Sequence, residues 1–281
     1  MALGDSTRIN TNIAAFNALN ALKSVNRNLE ISQLKLSTGK RINEVADDPA
    51  GYVISTRLNA RYRGLATALD NVGTAKNVLS IAEGGLLNIS DILITMKEKL
   101  TQSASDALGS AERNAIKTEI DQLTTEINNI VSETTFNNIA LVDGTYTGTS
   151  FQTGEGTTNT LVFSLSQNHT ASGLSITSSD VSSRVFTATG SSVALSNVNT
   201  AIETVSDSLQ YIGAYISRMT VKEGTLSVAI TNTQATKGRI LDADIAKEQL
   251  TSTKLQILQQ TATAQLAQAN VTPQNVLALF R

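Results

Sequence analysis

The chain has 281 residues, of which 41% are hydrophobic, and a formal net charge of −2. Its lack of cysteine excludes disulfides, thiolate metal sites and thiol nucleophiles. A pI near 5.5 and the absence of a strongly basic block argue against a phosphate-neutralising surface, so we expect no nucleic-acid partner. The sequence contains no run of about 18 apolar residues, so we predict no membrane span. Residues 1–10 lack the pattern of a cleaved secretory signal.

The first helical pattern predicts a helix from about Asp5 to Ser37. Apolar residues recur at gaps of three and four, and the opposite face is mostly Asn, Thr, Ser and Ala. Because helices in water are stabilised mainly by packing one face, such a charge-poor helix is marginal alone. Gly39 and the polar stretch through Asp47 predict a turn. The positions that we expect to pack are Ile9, Ile13, Phe16, Leu22 and Leu29.

An unbroken heptad repeat of apolar residues predicts a long central helix. Asp48 as N-cap and Pro49 at the first helical position mark its start, and the pattern continues to about Ser105. A helix of roughly 85 Å predicts an elongated antiparallel coiled-coil rod. The repeat passes Gly84 and Gly85 in register, so we expect no break there. The seam comprises Leu58, Leu65, Val72, Leu79, Leu86, Leu93 and Leu100.

The middle of the chain changes from helical to alternating patterns. A helix over residues 116–130 should fold back antiparallel on the long helix, and alternation at Leu161–Leu165 and Leu174–Ile176 predicts short strands. Between Thr145 and Ser192, 22 of 48 residues are Ser or Thr and three are charged. We interpret this stretch as strands and loops solvated by hydroxyls, and its composition suggests O-glycosylation as a hypothesis.

Two further helical patterns close the chain. The helical period returns at Val198 and continues to Ile230, which supplies a partner for the seam. A polar linker over residues 237–244 precedes the last pattern, and Thr272-Pro273 predicts the restart of a short final helical turn. Both ends are charge-poor amphipathic helices that we expect to pair with each other and with copies of themselves. The packing positions at this end are Leu255, Leu258, Leu266 and Phe280.

No arrangement of residues predicts an enzyme. The single histidine, His169, lies in the hydroxyl-rich stretch without an acidic neighbour, so we interpret it as a surface histidine. One histidine cannot form an HExxH zinc site. Two acidic pairs could suggest a metal, but without EF-hand spacing we interpret them as caps and solvated linkers. These pairs are Asp47-Asp48 and Asp242 with Asp244.

Two glycine motifs and one basic cluster have alternative interpretations. Gly39-Lys40 lacks the upstream glycine and following hydroxyl of a phosphate-binding loop, and Gly154 with Gly156 lacks the third glycine of a dinucleotide site. The basic cluster is either a charged helix face or a salt-bridging contact with a neighbouring subunit, and the sequence leaves both open. It consists of Arg57, Arg61 and Arg63 around Tyr62.

Sequence blocks at both ends carry a family resemblance. They are Ile9-Asn10-Thr11-Asn12, Leu36-Ser37-Thr38-Gly39-Lys40-Arg41-Ile42-Asn43, Ala46-Asp47-Asp48-Pro49-Ala50-Gly51, Asp242-Ala243-Asp244, Ile257-Leu258-Gln259-Gln260, Leu266-Ala267-Gln268-Ala269-Asn270 and Pro273-Gln274-Asn275-Val276-Leu277. Through these blocks the chain resembles bacterial flagellin over nearly its whole length. The resemblance implies paired terminal helices lining a filament channel, an outer rod with a small β portion, and a near-minimal member without large outer domains.

The resemblance also implies a domain order and partners. It places filament-core helices at 1–44 and 241–281, rod helices at 45–135 and 196–240, and a short β and loop region at 136–195. It implies a non-enzymatic subunit, without cofactor or metal, that forms an extracellular helical filament for motility. An export chaperone, the flagellar export apparatus, and junction and cap proteins would be partners. Two alternatives remain: a hook–filament junction protein, or a secreted coiled-coil binding module.

One segment departs from the family pattern. The segment of flagellins sensed by the animal Toll-like receptor typically reads Leu-Gln-Arg-Val-Arg-Glu-Leu-Ala-Val-Gln, whereas residues 93–102 read Leu-Ile-Thr-Met-Lys-Glu-Lys-Leu-Thr-Gln. Glu98 and Gln102 match, Lys97 replaces one arginine and Thr95 replaces the other. Because threonine cannot make the forked contacts of a guanidinium, we expect weakened receptor recognition.

Overall fold

The structure is a computed structural model and describes residues 11–278, with side chains as far as residue 271. Within that range the chain is mainly α-helical with two short hairpins, which confirms the predicted fold class. The long helices are α1 (Ile13–Thr38), α2 (Pro49–Ser103), α3 (Ser110–Glu133), α4 (Ala188–Leu241) and α5 (Ile245–Ala278). The strands are β1 (Thr135–Phe136), β2 (Ile139–Ala140), β3 (Thr149–Gln152) and β4 (Thr160–Phe163).

The chain divides into two compact units. One, here called the terminal unit, consists of Met1–Ala60 with Asn232–Arg281, and the other, the central unit, is Arg61–Thr231. Helices α1 and α5 belong to the terminal unit, whereas α3 and both hairpins belong to the central unit. Helices α2 and α4 contribute residues to both units.

Helix α2 begins where its sequence signals predict. The backbone N–H of Gly51 donates to Asp48 Oδ1 over 2.9 Å, which confirms the N-cap, and Pro49 is the first helical residue. The helix continues without interruption through Gly84 and Gly85 to Ser103. The unshifted heptad register thus predicted continuity correctly.

The central unit is built around one face of α2. Its apolar seam from Leu65 to Leu100 is buried, together with the small or apolar residue three positions after each seam residue. Helix α4 runs antiparallel to α2, as shown by an ion pair between Lys76 Nζ and Glu223 Oε2 at 2.7 Å and a Ser103–Ser191 hydroxyl contact at 3.0 Å. Helix α3 also packs against this core through Ile116, Ile120, Ile127 and Val131.

The same seam explains the hydropathy of α2. An 18-residue window of this helix has a mean hydropathy of 1.4, enough by length and composition to cross a membrane, and 39% of the window is buried. A core helix passes the same test, because its apolar residues face other helices instead of lipid. The absence of a membrane span stays a prediction.

The β portion is smaller than the sequence patterns predict. In β4, the buried residues Leu161 and Phe163 alternate with exposed neighbours at 160 and 162, as the sequence pattern predicts. The strand predicted at Leu174–Ile176 is wrong: these residues lie in turns, and the Ile176 N–H donates to Ala171 O over 2.9 Å. Both side chains are buried because the turns fold them onto the core, so burial here did not need a strand.

Helix boundaries at the C-terminal end also differ from expectation. Helix α4 begins at Ala188 instead of Val198, because Ser191 and Ala194 continue its buried face with small side chains. It also extends to Leu241, so the linker before α5 contains residues 242–244 only. No new helix starts at Pro273, since α5 is continuous from Ile245 to Ala278.

Candidate assembly surface

Helices α1 and α5 form an antiparallel pair, here called the terminal helix pair, as the sequence predicts. Three side-chain hydrogen bonds connect the helices along their length and fix the antiparallel register. They run from Asn12 Nδ2 to Ala269 O (2.8 Å), from Gln259 Nε2 to Asn26 Oδ1 (2.9 Å) and from Ser32 Oγ to Glu248 O (3.4 Å). Amide and hydroxyl side chains therefore fix the register of the two helices through uncharged hydrogen bonds.

The facing surfaces of the pair follow a coiled-coil spacing. The least exposed positions of α5 are separated alternately by three and four residues. On α1, Leu29 and Ser32 are buried. Small and polar residues at this interface let the two backbones approach while their polar groups stay hydrogen-bonded. The positions on α5 are Ser252, Leu255, Gln259, Ala262, Leu266 and Ala269.

Asn12 connects the beginning of α1 to a proline in α5. Its Oδ1 accepts the Ala15 N–H over 3.0 Å and caps α1, while its Nδ2 donates to the Ala269 carbonyl over 2.8 Å. Pro273 has no N–H, so the carbonyl four residues before it loses its helical donor. Asn12 supplies a donor to that carbonyl instead, which offsets the lost helical hydrogen bond. Sequence spacing alone did not reveal this contact.

A short backbone ladder joins the two connections that lead to the terminal helix pair. Gly39 ends α1 with φ at +68°, a left-handed conformation that favours glycine. Lys40 and Asp242 form an antiparallel bridge. Its flanking bonds run from Arg41 N to Leu241 O (2.6 Å), from Ala243 N to Gly39 O (2.9 Å) and from Arg41 Nη2 to Ile240 O (2.8 Å). The two connections are therefore held as one unit.

The outward faces of the terminal helix pair carry uncovered apolar side chains. On α5 a second heptad register is exposed, with Leu250 at 74% and Ile257 at 58% of full exposure. On α1 the exposed set repeats after 18 residues, which is five helical turns, so its members share one face. We call these residues the outward stripes: Ile13, Phe16, Ile31 and Leu34 on α1, and Leu250, Ile257, Ala264 and Val271 on α5.

The residues predicted to pack in the core divide between the two faces. Leu22, Leu29, Leu255 and Leu266 are buried or half-buried and lie at positions that face the partner helix. Ile13, Phe16 and Leu258 are exposed in the single chain, so their packing in a filament core stays a prediction. The helical period alone does not identify which of two apolar stripes on a helix faces the partner helix. Ile9 and Phe280 lie outside the described residues.

The acidic pairs act as helix caps and turn acceptors, as predicted. Asp244 Oδ1 accepts the Lys247 N–H over 3.1 Å at the start of α5, and Asp48 caps α2. Asp47 Oδ2 accepts two backbone N–H groups, from Asn43 and Glu44, which lower the pKa of Asp47. Within residues 11–278, no group of three or more His, Asp or Glu side chains is arranged to hold a metal ion.

The interpretation of His169 as a surface histidine is wrong. Its side chain is fully buried, with Nδ1 3.0 Å from Val142 O and Nε2 2.9 Å from Ser208 Oγ. Hydroxyl-rich composition predicted exposure, but the loop folds inward so that two partners 27 and 39 residues away satisfy the ring. Among the described side chains, the ring nitrogens bond to a carbonyl and a hydroxyl and not to a carboxylate, which is typical of a structural environment.

Two other candidate groups lie on α2. In the basic cluster, Arg61 Nε pairs with Glu155 Oε1 at 3.0 Å within the same chain, which supports a charged helix face at that position. In the segment compared with the receptor site, Thr95 Oγ1 donates to Asp91 O over 3.0 Å. Lys97, Glu98 and Gln102 are exposed.

Comparison with known proteins identifies the family. Residues 9–147 match the bacterial flagellin N-terminal helical region, and residues 195–280 match the bacterial flagellin C-terminal helical region. The flagellin of Bacillus subtilis (strain 168) is 34% identical over 98% of this chain and 100% of its own length. The flagellar filament 33 kDa core protein of Treponema phagedenis is 32% identical over 97% and 99%, respectively.

A solved structure shares the fold. The putative flagellar hook-associated protein from Vibrio parahaemolyticus superimposes with a TM-score of 0.60 and 16% identity, covering 70% of this chain and 100% of that one. Identity this low supports similarity of fold alone. The full-length sequence matches and both helical-region matches together establish that this chain belongs to the bacterial flagellin family.

Proposed function

We propose that the chain is the structural subunit of a flagellar filament, and that it polymerises by packing the outward stripes of each copy against the terminal helices of its neighbours. The observation that carries this proposal is the second heptad register on α5, from Leu250 to Val271. The register that faces α1 is already occupied within the chain, whereas the outward register is exposed and free of charge. Full-length similarity to a flagellar filament core protein supports the same function.

Burial of the outward stripes would contribute favourable free energy to the proposed contact. Full burial of a Leu, Ile or Phe side chain contributes about 1.5–3 kcal/mol. Burial of Phe16, Leu250 and Ile257 in neighbouring copies would therefore contribute several kcal/mol per subunit, before the entropy of association is subtracted. Because a stripe on one helix meets a different surface of the next copy, the contacts need not close, and a helical polymer results.

The proposal is tested by placing a charge on the stripe and beside it. In Ile257→Lys the ammonium group lies in the proposed contact, where burying it unpaired is costly, so we expect loss of polymerisation. In the control Gln256→Lys the same charge is added one residue away, on an exposed position off the stripe. Electron microscopy after salting-out should show filaments for the control and monomers for Ile257→Lys.

Two outcomes of that experiment carry different meanings. Circular dichroism of the two monomers serves as a folding control. We expect equal helix content, because the Ile257 side chain is exposed in the single chain. Filaments of normal length from Ile257→Lys would refute the proposed contact. Stable small assemblies from the unmodified chain would instead favour a junction-type role, in which few copies associate.

Secretion and accessory partners form the finer part of the proposal. We infer that the subunit is exported before assembly and that an export chaperone, the export apparatus, and junction and cap proteins bind it, as the family resemblance implies. A chaperone that covers the outward stripes would keep copies apart. Co-purification with the unmodified chain, and its loss with Leu250→Lys but not with Gln249→Lys, would test this.

Innate-receptor recognition is proposed to be weak. Thr95 uses its hydroxyl inside its own helix and offers no forked donor, although Lys97, Glu98 and Gln102 are exposed. Thr95→Arg restores the residue type typical of the segment. A receptor reporter assay should respond more strongly to Thr95→Arg than to the unmodified chain, with Thr95→Lys as the charge-matched control. Equal responses from all three would contradict the proposal.

A further inference from the structure

The only histidine of the chain bridges two separate parts of the central unit. His169 Nδ1 lies 3.0 Å from the carbonyl of Val142, just after β2, and Nε2 lies 2.9 Å from Ser208 Oγ on α4. The His169 N–H also donates to Val142 O over 3.1 Å. The side chain has no exposed surface. This one ring therefore helps to hold residues 141–176, here called the bridging segment, against α4.

The hydrogen-bond partners can serve both protonation states of the ring. A carbonyl only accepts, so in neutral His169 the proton is on Nδ1 and Nε2 accepts from the Ser208 hydroxyl. Ser208 Oγ also lies 3.0 Å from Thr204 O. When Nε2 gains a proton, it donates to Ser208 Oγ, and the single hydroxyl proton turns to Thr204 O. Protonation therefore adds a charge without removing a hydrogen bond.

Among residues 11–271, whose side chains the structure describes, no charged group shifts the pKa of His169 as a counterion to that charge would. Asp143, beside Val142, is engaged in its own turn, where Oδ1 accepts from the Thr145 N–H and hydroxyl at 2.9 and 2.7 Å. Helix α3 contacts the bridging segment through the amide of Asn128, which is uncharged.

On α4, a polar groove that Ser208 itself lines also contains charged and titratable side chains. Asp207 and Tyr211 line this groove, and the Tyr211 hydroxyl bonds to Tyr215. Burial lowers the pKa of His169, and the carbonyls of Val142 and Gln167 oppose that effect only in part. No charged side chain contributes to the shift.

We propose that His169 is a proton-sensitive contact that releases the bridging segment from α4 in mild acid. A proton from water adds to Nε2, and the resulting buried imidazolium is stable only if the segment opens and admits water. The open state has the ordinary histidine pKa of about 6.5 and the closed state a lower one. Opening is therefore favoured as pH falls below about 6.5, by up to tenfold per pH unit, until the pH reaches the closed-state pKa.

The titration can be measured directly on the full chain kept monomeric. Because there is one histidine, a single Cε1–H resonance reports the closed-state pKa in a proton NMR titration. We expect a value below 6.5. Hydrogen exchange of the His169 and Leu165 amides, corrected for intrinsic rates, should indicate up to about fivefold more opening at pH 5.5 than at 6.5. Amides in the middle of α3 should show no such change.

Variants separate this contact from general acid sensitivity. In His169→Gln the amide can donate to Val142 O and accept from Ser208 but cannot become charged, so the pH dependence of opening should disappear. Ser208→Ala removes the acceptor of a protonated Nε2 and should lower the closed-state pKa further. Asp207→Asn is the matched control and should behave as the unmodified chain.

The proposal is overturned by either of two results, and it does not depend on filament formation. The first is a His169 resonance that titrates at or above pH 6.5. The second is opening that rises equally in His169→Gln and in the unmodified chain between pH 6.5 and 5.5. The titration of the unmodified chain decides the first point even if the Gln variant does not fold.

Discussion

Gly85 of α2 lies against Thr134 at the end of α3, and substituting it tests the packing of the central unit. A Cβ built on Gly85 would lie 2.5 Å from Thr134 Oγ1 and 2.8 Å from its Cγ2. Thr134 cannot easily move, because its Oγ1 donates to Ile130 O over 2.6 Å and its carbonyl accepts the Leu141 N–H over 3.1 Å. Gly84, one residue earlier on the same helix, has open space at the Cβ position.

The two glycines form a matched pair. Replacing either by alanine gains about 1 kcal/mol of helix propensity, so that gain cancels when the variants are compared. Overpacking costs about 1–3 kcal/mol, and only Gly85→Ala incurs it. We expect Gly84→Ala to be more stable than the unmodified chain and Gly85→Ala to be less stable than Gly84→Ala by about 1–3 kcal/mol.

Urea unfolding followed by circular dichroism measures this difference. With a urea dependence of about 1–3 kcal/mol per molar, the midpoints of the two variants should differ by on the order of 1 M. Adding Thr134→Ala to Gly85→Ala removes both clashing atoms and should recover part of the difference. If Gly85→Ala stabilised the chain as much as Gly84→Ala, the close contact between α2 and Thr134 would be refuted.

Three other substitutions test separate contacts. Arg113 is 6% exposed and donates to the carbonyls of Ser103, Val185 and Ser105. Arg113→Leu leaves these carbonyls without their donor and should destabilise the chain by about 3 kcal/mol in urea unfolding. An unchanged unfolding midpoint would contradict a stabilising role of these hydrogen bonds. Asn12→Ala removes the α1 cap and the donor to Ala269 O and should cost about 1–2 kcal/mol, whereas Asn12→Asp keeps the cap and loses the donor alone, so it should be intermediate; an Asn12→Asp variant as stable as the unmodified chain would argue against the second contact. Burial raises the pKa of Asp121, but Lys117 and the hydroxyls of Ser182 and Ser178 outweigh it, so the pKa is lowered. Stability from Asp121 is thus present above pH 4 and lost as pH falls through the folded-state pKa, and Asp121→Asn should flatten acid unfolding below about pH 4.

Long periodic helices were predictable from the sequence because one signal repeats along them. The start of α2 follows from Asp48 and Pro49, and its continuity follows from the register across Gly84 and Gly85. The start of α4 was missed because Ser191 and Ala194, although buried, do not add to an apolar pattern. The turn around Ile176 was misread as a strand because alternating burial also arises in turns.

The sequence predicted where the candidate assembly surface lies but not which of its residues face inward or outward. Charge-poor terminal helices indicated association, yet only the structure separates the inward residue Leu29 from the outward residue Phe16. The contact between Asn12 and Ala269 joins residues 257 positions apart and depends on the missing N–H of Pro273, so no local pattern encodes it. The burial of His169 similarly depends on partners distant in sequence.

Thiol labelling tests the proposed polymer contact most directly, because the chain has no cysteine of its own. A maleimide should label Ile257→Cys rapidly in the monomer, where this position is 58% exposed, and slowly in the filament. Ser252→Cys, at a position facing α1, should be protected in both states and serves as the reference. Rapid labelling of Ile257→Cys in intact filaments would contradict the account, since the outward stripe would then remain in water after assembly.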